Sequence, residues 1–328
     1  METLLTELRA CAESTRLRIL ALTARGSFCV MEFTEILGQS QPRLSRHLRL
    51  LCEAGLLERL REGANVWFAL PPSDSQAGGL VRAVLERLPE DDDTLAADHR
   101  QAARVLAERA RIASESFRRT GADWDEMRAL DLPAQAVEAA VLAALPRTGP
   151  QQSIGRLLDI GTGTGRLIEL LSPVVVAATG IDASRAMLAL ARSRLSKPGM
   201  THCSVRLADM YRLPMADATF DVVVLQMVLH YAEDPEGAIA EAARVLRPGG
   251  TLLVIDLALH AVTPASSRLA HRWPGFADAR IVTMFDSAGL TAGDVTAVPG
   301  AGALEVRLWS ALRTPALAAA TAVLEATS

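Results

Sequence analysis

Three aspartates and a run of closely spaced glycines are the residues of this chain best suited to holding a small polar ligand. Asp159 lies in the apolar run Leu157-Leu158-Asp159-Ile160, which leads into Gly161-Thr162-Gly163-Thr164-Gly165. Glycines at this spacing, after a strand and before a helix, let the backbone turn tightly and approach a ligand closely. A carboxylate at that strand end repels a pyrophosphate and suits a cationic or polar amino-acid group instead. Asp182, after Gly180-Ile181, stands where a carboxylate accepts both ribose hydroxyl protons, with Ala183 beside it. Asp209, in Ala208-Asp209-Met210, can accept from an adenine amino group with Met210 against the ring. Asp221 reads as a turn-holding residue. Each aspartate alone is an ordinary solvated side chain; three at successive strand ends point to ligand binding.

A second chemistry lies toward the N-terminus. The segment 39–49 carries Arg43, Arg46, His47 and Arg49 and no acid. In a helix over 41–53, Leu44, Leu48 and Leu51 share one face, and Gln41, Arg43, Ser45, Arg46 and Arg49 lie mainly on others. A rod packed on one side and offering amides, hydroxyls and guanidiniums on the other is what a DNA major groove accepts. Ser40 and Gln41 at its start can read bases or bind phosphate through exposed backbone N–H groups. A hairpin over 57–70 adds Arg59, Arg61 and Asn65. The alternative reading of the same residues is a small helical domain for dimerisation, with solvated arginines.

The elements that must position these residues follow from pattern and punctuation. Leu4, Leu5 and Leu8 repeat with helical spacing, and a helix over 16–22 runs on to a stop at Gly26. A helix over 30–37 ends at Gly38; the next starts after Ser40, tolerates Pro42 in its first turn and stops near Gly55. Strands are expected at 57–61 and 66–70, a linker at 71–79, and helices at 80–89, 94–118 and 134–145. From residue 156, strands (156–160, 174–180, 203–207, 222–225, 251–257) alternate with helices (165–171, 184–194, 235–246, 276–287), and strands at 291–298 and 304–310 close the series. That alternation predicts a mostly parallel sheet covered on both faces. The expected divisions are a winged helix-turn-helix domain over 1–72, a helical connector and dimerisation region over 73–150, a ligand-binding α/β domain over 151–315 and a tail over 316–328.

Composition sets limits on class. The chain has 328 residues, 50% hydrophobic and 22% charged, with a formal net charge of -4. It is therefore a folded multidomain protein, and an acidic whole is compatible with one basic DNA-binding face. The four cysteines, Cys11, Cys29, Cys52 and Cys203, are widely spaced without a CxxC, which argues against a disulfide framework and for a reducing cytoplasm. Glu7, Arg9 and Glu13 interrupt any signal-peptide pattern, and no apolar run reaches 18 residues, so no membrane span is expected.

Residues 16–70 resemble the winged helix-turn-helix of the ArsR/SmtB family of bacterial repressors, through TRLRIL, FCVMEF, LGQSQPRLSRHLRLLCEAGLL and REGANVWFAL. The resemblance implies a homodimer on double-stranded DNA that responds to a ligand. The arsenic-sensing branch carries Cys-Val-Cys before the turn. This chain has Cys29-Val30-Met31, a poor soft-metal site because tight binding needs several thiolates. No metal site is expected. Residues 155–257 look like a class I S-adenosylmethionine-dependent methyltransferase, through LLDIGTGTGRLIELL, ATGIDASRAMLALAR and the run from VRLADMYRLPMADATFDVVVLQMVLHYAEDP to ARVLRPGGTLLVIDL. It implies S-adenosylmethionine or S-adenosylhomocysteine as ligand. Asp159, Gly161, Thr162, Gly163 and Gly165 would surround its methionine portion, Asp182, Ala183 and Ser184 its ribose, and Asp209 and Met210 its adenine. Gln226 would lie near the sulfonium.

Methyl transfer needs a base only when the acceptor must lose a proton. The candidates are His230, Asp256 and His260; His230 either lines the pocket or packs in a helix end or loop. His271-Arg272-Trp273 is either a lid or a solvated loop. The two halves together resemble bacterial fusions of an ArsR-type domain with a methyltransferase-like domain, linked to the methionine cycle. The expectation is a dimeric, cytoplasmic DNA-binding repressor that reads an S-adenosyl ligand. The alternative is an active small-molecule methyltransferase in which the winged helix serves dimerisation or autoregulation.

Overall fold

The computed structural model describes residues 1–62, 65–72, 75–89, 91–119, 132–146, 153–197, 199–260, 271–299 and 304–314. The chain forms two compact units, Met1–Asp123 with Thr162–Leu207, and Trp124–Gly161 with Ala208–Ser328.

In the first unit, α1 (Glu2–Cys11) and α2 (Ser14–Thr23) are separate helices. The Glu13 carboxylate accepts from Arg16 N at 2.9 Å and starts α2 afresh. A two-residue strand, β1 (Phe28–Cys29), precedes α3 (Val30–Leu37). Gly38 ends α3 in the left-handed region at φ 63°. The helix α4 (Gln41–Glu53) follows with Pro42 in its first turn. The wing comprises β2 (Glu58–Glu62) and β3 (Asn65–Ala69), and its sheet order is β1-β3-β2. Trp67 stands opposite Cys29 on one side and Leu60 on the other.

The core of this region gathers Ile19, Leu20, Phe28, Phe33, Leu44, Leu48, Leu51, Leu56 and Phe68. Helices α5 (Gln76–Leu85) and α6 (Asp93–Arg119) close it with Val81, Ala102 and Val105. Arg18 on α2 is tied to buried Asp98 on α6 by two bonds of 2.6 and 2.7 Å. The helix expected at 80–89 begins earlier, because the Ser75 hydroxyl caps it by accepting from Gly78 N at 3.0 Å. The same unit holds α8 (Arg166–Leu171), β5 (Ala177–Asp182), α9 (Arg185–Leu195) and β6 (Cys203–Leu207), with β5 and β6 parallel.

The second unit carries α7 (Ala134–Ala144), β4 (Arg156–Ile160), β7 (Phe220–Gln226), α10 (Pro235–Val245), β8 (Leu246–Leu257), α11 (Asp278–Ser287), β9 (Leu290–Pro299) and β10 (Glu305–Arg313). Its strands run β4-β7-β8-β10-β9; the first three are parallel and the last two antiparallel. Val222–Leu225 and Leu252–Ile255 are fully buried, the apolar pattern of strands covered on both faces. Pro248-Gly249-Gly250 lies within β8, where the pairing with β7 is irregular: Phe220 pairs with Leu246 and Val222 with Thr251. Among the described residues, no helix is long and apolar enough to cross a membrane. The tail over 316–328 lies outside the described residues.

Candidate functional site

The helix α4 presents two opposed faces. Leu44, Leu48 and Leu51 are buried, which fixes the rod, and Ser40, Gln41, Arg43, Ser45, Arg46 and Arg49 are exposed. Arg49 pairs loosely with Glu53 at 3.7 Å, one turn on, with both side chains largely in water. His47 departs from the rest. Its ring is turned toward Glu13, Nδ1 to Oε2 3.5 Å, and burial lowers its pKa against the pull of that carboxylate. It is therefore not part of the exposed row that the sequence suggested. Arg59 and Arg61 are exposed on β2. Asn65 opens β3, but its side chain lies outside the described residues, as do Gly63 and Ala64 at the turn. Cys29 starts α3, its N–H donating to Glu32 Oε2 at 2.8 Å, and burial raises its thiol pKa. Burial likewise raises the thiols of Cys11 and Cys52.

The first unit also carries the turn Thr162–Gly165 and the end of β5. Thr162 N donates to Ile181 O at 2.8 Å and Gly165 N to Thr162 O at 2.9 Å, closing the turn on the strand beside it. Asp182 accepts from Gly163 N at 2.9 Å on one oxygen and from Ser184 N at 2.7 Å on the other. Burial raises its pKa, and these two bonds oppose the rise. Each oxygen keeps a lone pair with which to accept another proton. Ala183 is exposed. Gly163, at φ 53°, faces open space where a side chain would project. Gly165, at φ 75°, would bring a Cβ to 3.1 Å from the Cβ of Ala191 on α9.

The second unit holds the remaining ligand candidates. Asp159 is buried on β4, and Gly161 must lack a side chain, because a Cβ there would meet Val228 Cγ2 at 2.4 Å. Asp209 is exposed and accepts from Tyr211 N at 3.0 Å, with half-buried Met210 between them. Gln226 ends β7 with its Oε1 buried and, among the described residues, without a hydrogen-bond partner. Such atoms are uncommon in folded proteins and mark places where a ligand or water completes the shell. The next residue, Met227, is a non-glycine held at φ 51°, a conformation that costs energy and often accompanies a site. Sequence reasoning had no signal for it. Asp221 is structural as expected: it accepts from Arg156 N at 2.7 Å and pairs with Arg247 at 2.8 Å.

Beside Gln226 in sequence, His230 and Asp256 meet in full burial, Nδ1 to Oδ1 2.6 Å. Asp256 also accepts from the N–H groups of Leu229, His230 and Leu257 at 3.0, 3.2 and 2.7 Å. His271 and Tyr231 each place a ring 4.2 Å from His230. His260 belongs to the same cluster: burial lowers its pKa first, then the positive charges of His271 and His230. The segment expected as a lid or a solvated loop is instead anchored. Arg272 N and Trp273 N both donate to His230 O, at 2.9 and 3.1 Å, and Trp273 Nε1 to Ala232 O at 2.8 Å. Among the described residues, no group of three His, Cys, Asp or Glu is placed to hold a metal ion.

Residues 13–59 match the family of bacterial regulatory proteins of the arsR type, and residues 158–254 match a methyltransferase domain. The chain is 39% identical over 103 residues to a phosphatidylethanolamine N-methyltransferase of Cereibacter sphaeroides, covering 31% of this chain and 50% of that protein. It is 30% identical over 119 residues to the uncharacterised methyltransferase YcgJ of Bacillus subtilis, covering 36% of this chain and 47% of that one. The crystal structure of YcgJ covers 55% of this chain and 99% of its own, at 18% identity and a TM-score of 0.47. The chain spans about half the length of the curated relatives it matches. It carries an arsR-family helix-turn-helix followed by a methyltransferase domain of the α/β, Rossmann-like class, the kind of domain that takes an S-adenosyl ligand.

Proposed function

We propose that this chain is a homodimeric DNA-binding repressor whose methyltransferase domain binds S-adenosylhomocysteine or S-adenosylmethionine as effector, in the service of methionine-cycle genes. The observation that carries the reading is α4: three leucines lock one face while Arg43, Arg46 and Arg49 stand exposed on the rest. Arginines on such a helix bridge guanine edges or neutralise phosphates. The chain's own residues suit the S-adenosyl group. Asp182 retains acceptor capacity for ribose hydroxyls, Gly163 leaves space, and the orphaned Gln226 oxygen is completed by a polar or cationic ligand group. Asp209 and Met210 take the adenine in this reading, and Asp159 and Gly161 the methionine end. Footprinting on the DNA upstream of the protein's own coding sequence tests the DNA half. A dimer is expected to protect two half-sites about one helical turn apart, roughly 10 base pairs. Uniform, sequence-independent protection would remove the regulator reading.

One observation favours methyl transfer as a second reading, the buried His230–Asp256 pair. A carboxylate-held imidazole is a suitable base for an acceptor that must lose a proton. A domain acting as an enzyme keeps its turnover when Arg43, Arg46 and Arg49 are neutralised; loss of turnover in a folded variant would oppose an independent enzyme.

A further inference from the structure

Trp67, on strand β3 of the wing, carries two guanidiniums against its ring. Arg109 of α6 lies with Cζ 4.7 Å from the ring centroid, and Arg192 of α9 lies at 4.3 Å. The contact is shielded from water, Trp67 being 8% and Arg192 5% exposed, the condition in which a cation over an aromatic face binds most strongly. Arg109 is itself held fast, by Glu32 at 2.5 Å and by the Ser27 carbonyl at 3.3 Å. The second clamp, Arg192, belongs to a helix with different obligations.

That helix, α9, starts at the end of β5. Its cap is Ser184, whose hydroxyl accepts from Met187 N at 3.4 Å and whose own N–H donates to Asp182. Asp182 in turn holds the glycine turn through Gly163 N. Ala191, the neighbour of Arg192, is the residue against which Gly165 packs. One helix thus reaches the glycine turn through Asp182 at its start and meets it directly at Ala191, and contacts the wing with the very next side chain. Arg185 and Arg192 are about 10 Å apart along the axis, at 1.5 Å per residue.

We propose that α9 transmits ligand occupancy to the wing: an S-adenosyl group seated on Asp182 and the glycine turn fixes α9, and the Arg192–Trp67 contact passes that constraint to β3. This rests on the reading that the chain binds an S-adenosyl ligand as effector. The transmission element is then a helix of the methyltransferase domain rather than one of the connector helices α5 and α6. The ligand then acts by favouring wing conformations in which Trp67 is clamped, a shift of population that alters DNA affinity.

Hydrogen–deuterium exchange on the full chain, with and without saturating S-adenosylhomocysteine, tests this without any operator. In the wild type the ligand is expected to slow exchange over 162–184 and also in β2 and β3, the latter by roughly fivefold or more, the lower end of typical allosteric coupling. In Arg192→Gln the protection over 162–184 stays and that of the wing is lost; Trp67→Leu, which keeps Arg192, gives the same loss in β2 and β3 with protection over 162–184 retained. Unchanged exchange in α4 shows that each variant is folded. Wing amides that ignore the ligand in the wild type, or wing protection that survives in Arg192→Gln, would overturn the proposal while leaving the cofactor reading intact. Absence of protection over 162–184 would instead remove the cofactor reading, and the proposal with it.

Discussion

Asp256 accepts from the His230 imidazole at 2.6 Å, with both side chains fully buried. The same carboxylate satisfies three backbone N–H groups at the turn after β7 and at its own strand. It is thus a structural anchor whatever chemistry the histidine performs. Asp256→Ala leaves those donors and the ring without their acceptor, and is expected to cost about 3–5 kcal/mol. Asp256→Asn keeps one carbonyl acceptor and costs less. Urea unfolding followed by far-ultraviolet circular dichroism checks both. A loss below about 1 kcal/mol for the alanine variant would show that the turn is held by other contacts.

Asp182 supplies a pH dependence with a definite sign. Burial raises its carboxyl above the ordinary 3.8, and ribose hydroxyls donate to the ionised form. Folding alone is disfavoured by this group as pH rises through the raised value, because the folded state binds the proton more tightly than the unfolded one. Ligand affinity runs the other way: it is full above the raised value and falls as pH drops through it. Calorimetric titration with S-adenosylhomocysteine is expected to show proton release on binding in that window. Asp182→Ala is expected to lose roughly 1–3 kcal/mol of affinity and to flatten the pH profile. An unchanged profile in the variant would exclude Asp182 from the ribose.

The exposed row on α4 separates from the ligand site by mutation. Arg46→Ala is expected to weaken DNA binding by roughly 1–3 kcal/mol and leave S-adenosylhomocysteine affinity unaltered. Should Arg46 contact phosphate, the salt slope of binding drops by about one and all sequences weaken alike. Should it contact a base, discrimination relaxes at one position. Equal loss of DNA and ligand affinity would contradict the assignment.

Cys203 gives a check on the local environment. Burial alone pushes its thiol up to about 12, so almost none is thiolate at pH 8. Native protein is expected to leave Cys203 unlabelled by a disulfide reagent at that pH, with labelling following unfolding. Labelling at the rate of a free cysteine would show that β6 opens readily.

Much of this was readable from residue order, and the reasons differ by element. The recognition helix was legible because Gly38, Pro42 and Gly55 punctuate it and three leucines repeat at helical spacing. The place of Asp182 at the end of β5 was legible from the strand pattern leading through Gly180-Ile181. The start of α2 at Ser14 leaves no periodic signal, since the Glu13 cap acts by one side-chain hydrogen bond. The strand β1 is two residues long, too short to show alternation, and is created by its pairing with β3. The strand expected at 251–257 begins five residues earlier, at Leu246, because Leu246 pairs with Phe220 across the irregular Pro248-Gly249-Gly250 stretch. Arg192 with Trp67, and His271 with His230, join residues far apart in the chain; only the folded arrangement exposes them.

Coupling of DNA to an S-adenosyl ligand within one chain is read from the affinity of the full protein for its own upstream DNA, measured by fluorescence anisotropy and titrated separately with S-adenosylmethionine and S-adenosylhomocysteine. Sequence-specific binding is expected, with a dissociation constant that shifts by roughly fivefold or more with at least one of the two ligands, and by the same factor in the reciprocal titration. Specific binding that is indifferent to both ligands, in protein shown by calorimetry to bind them, would contradict it.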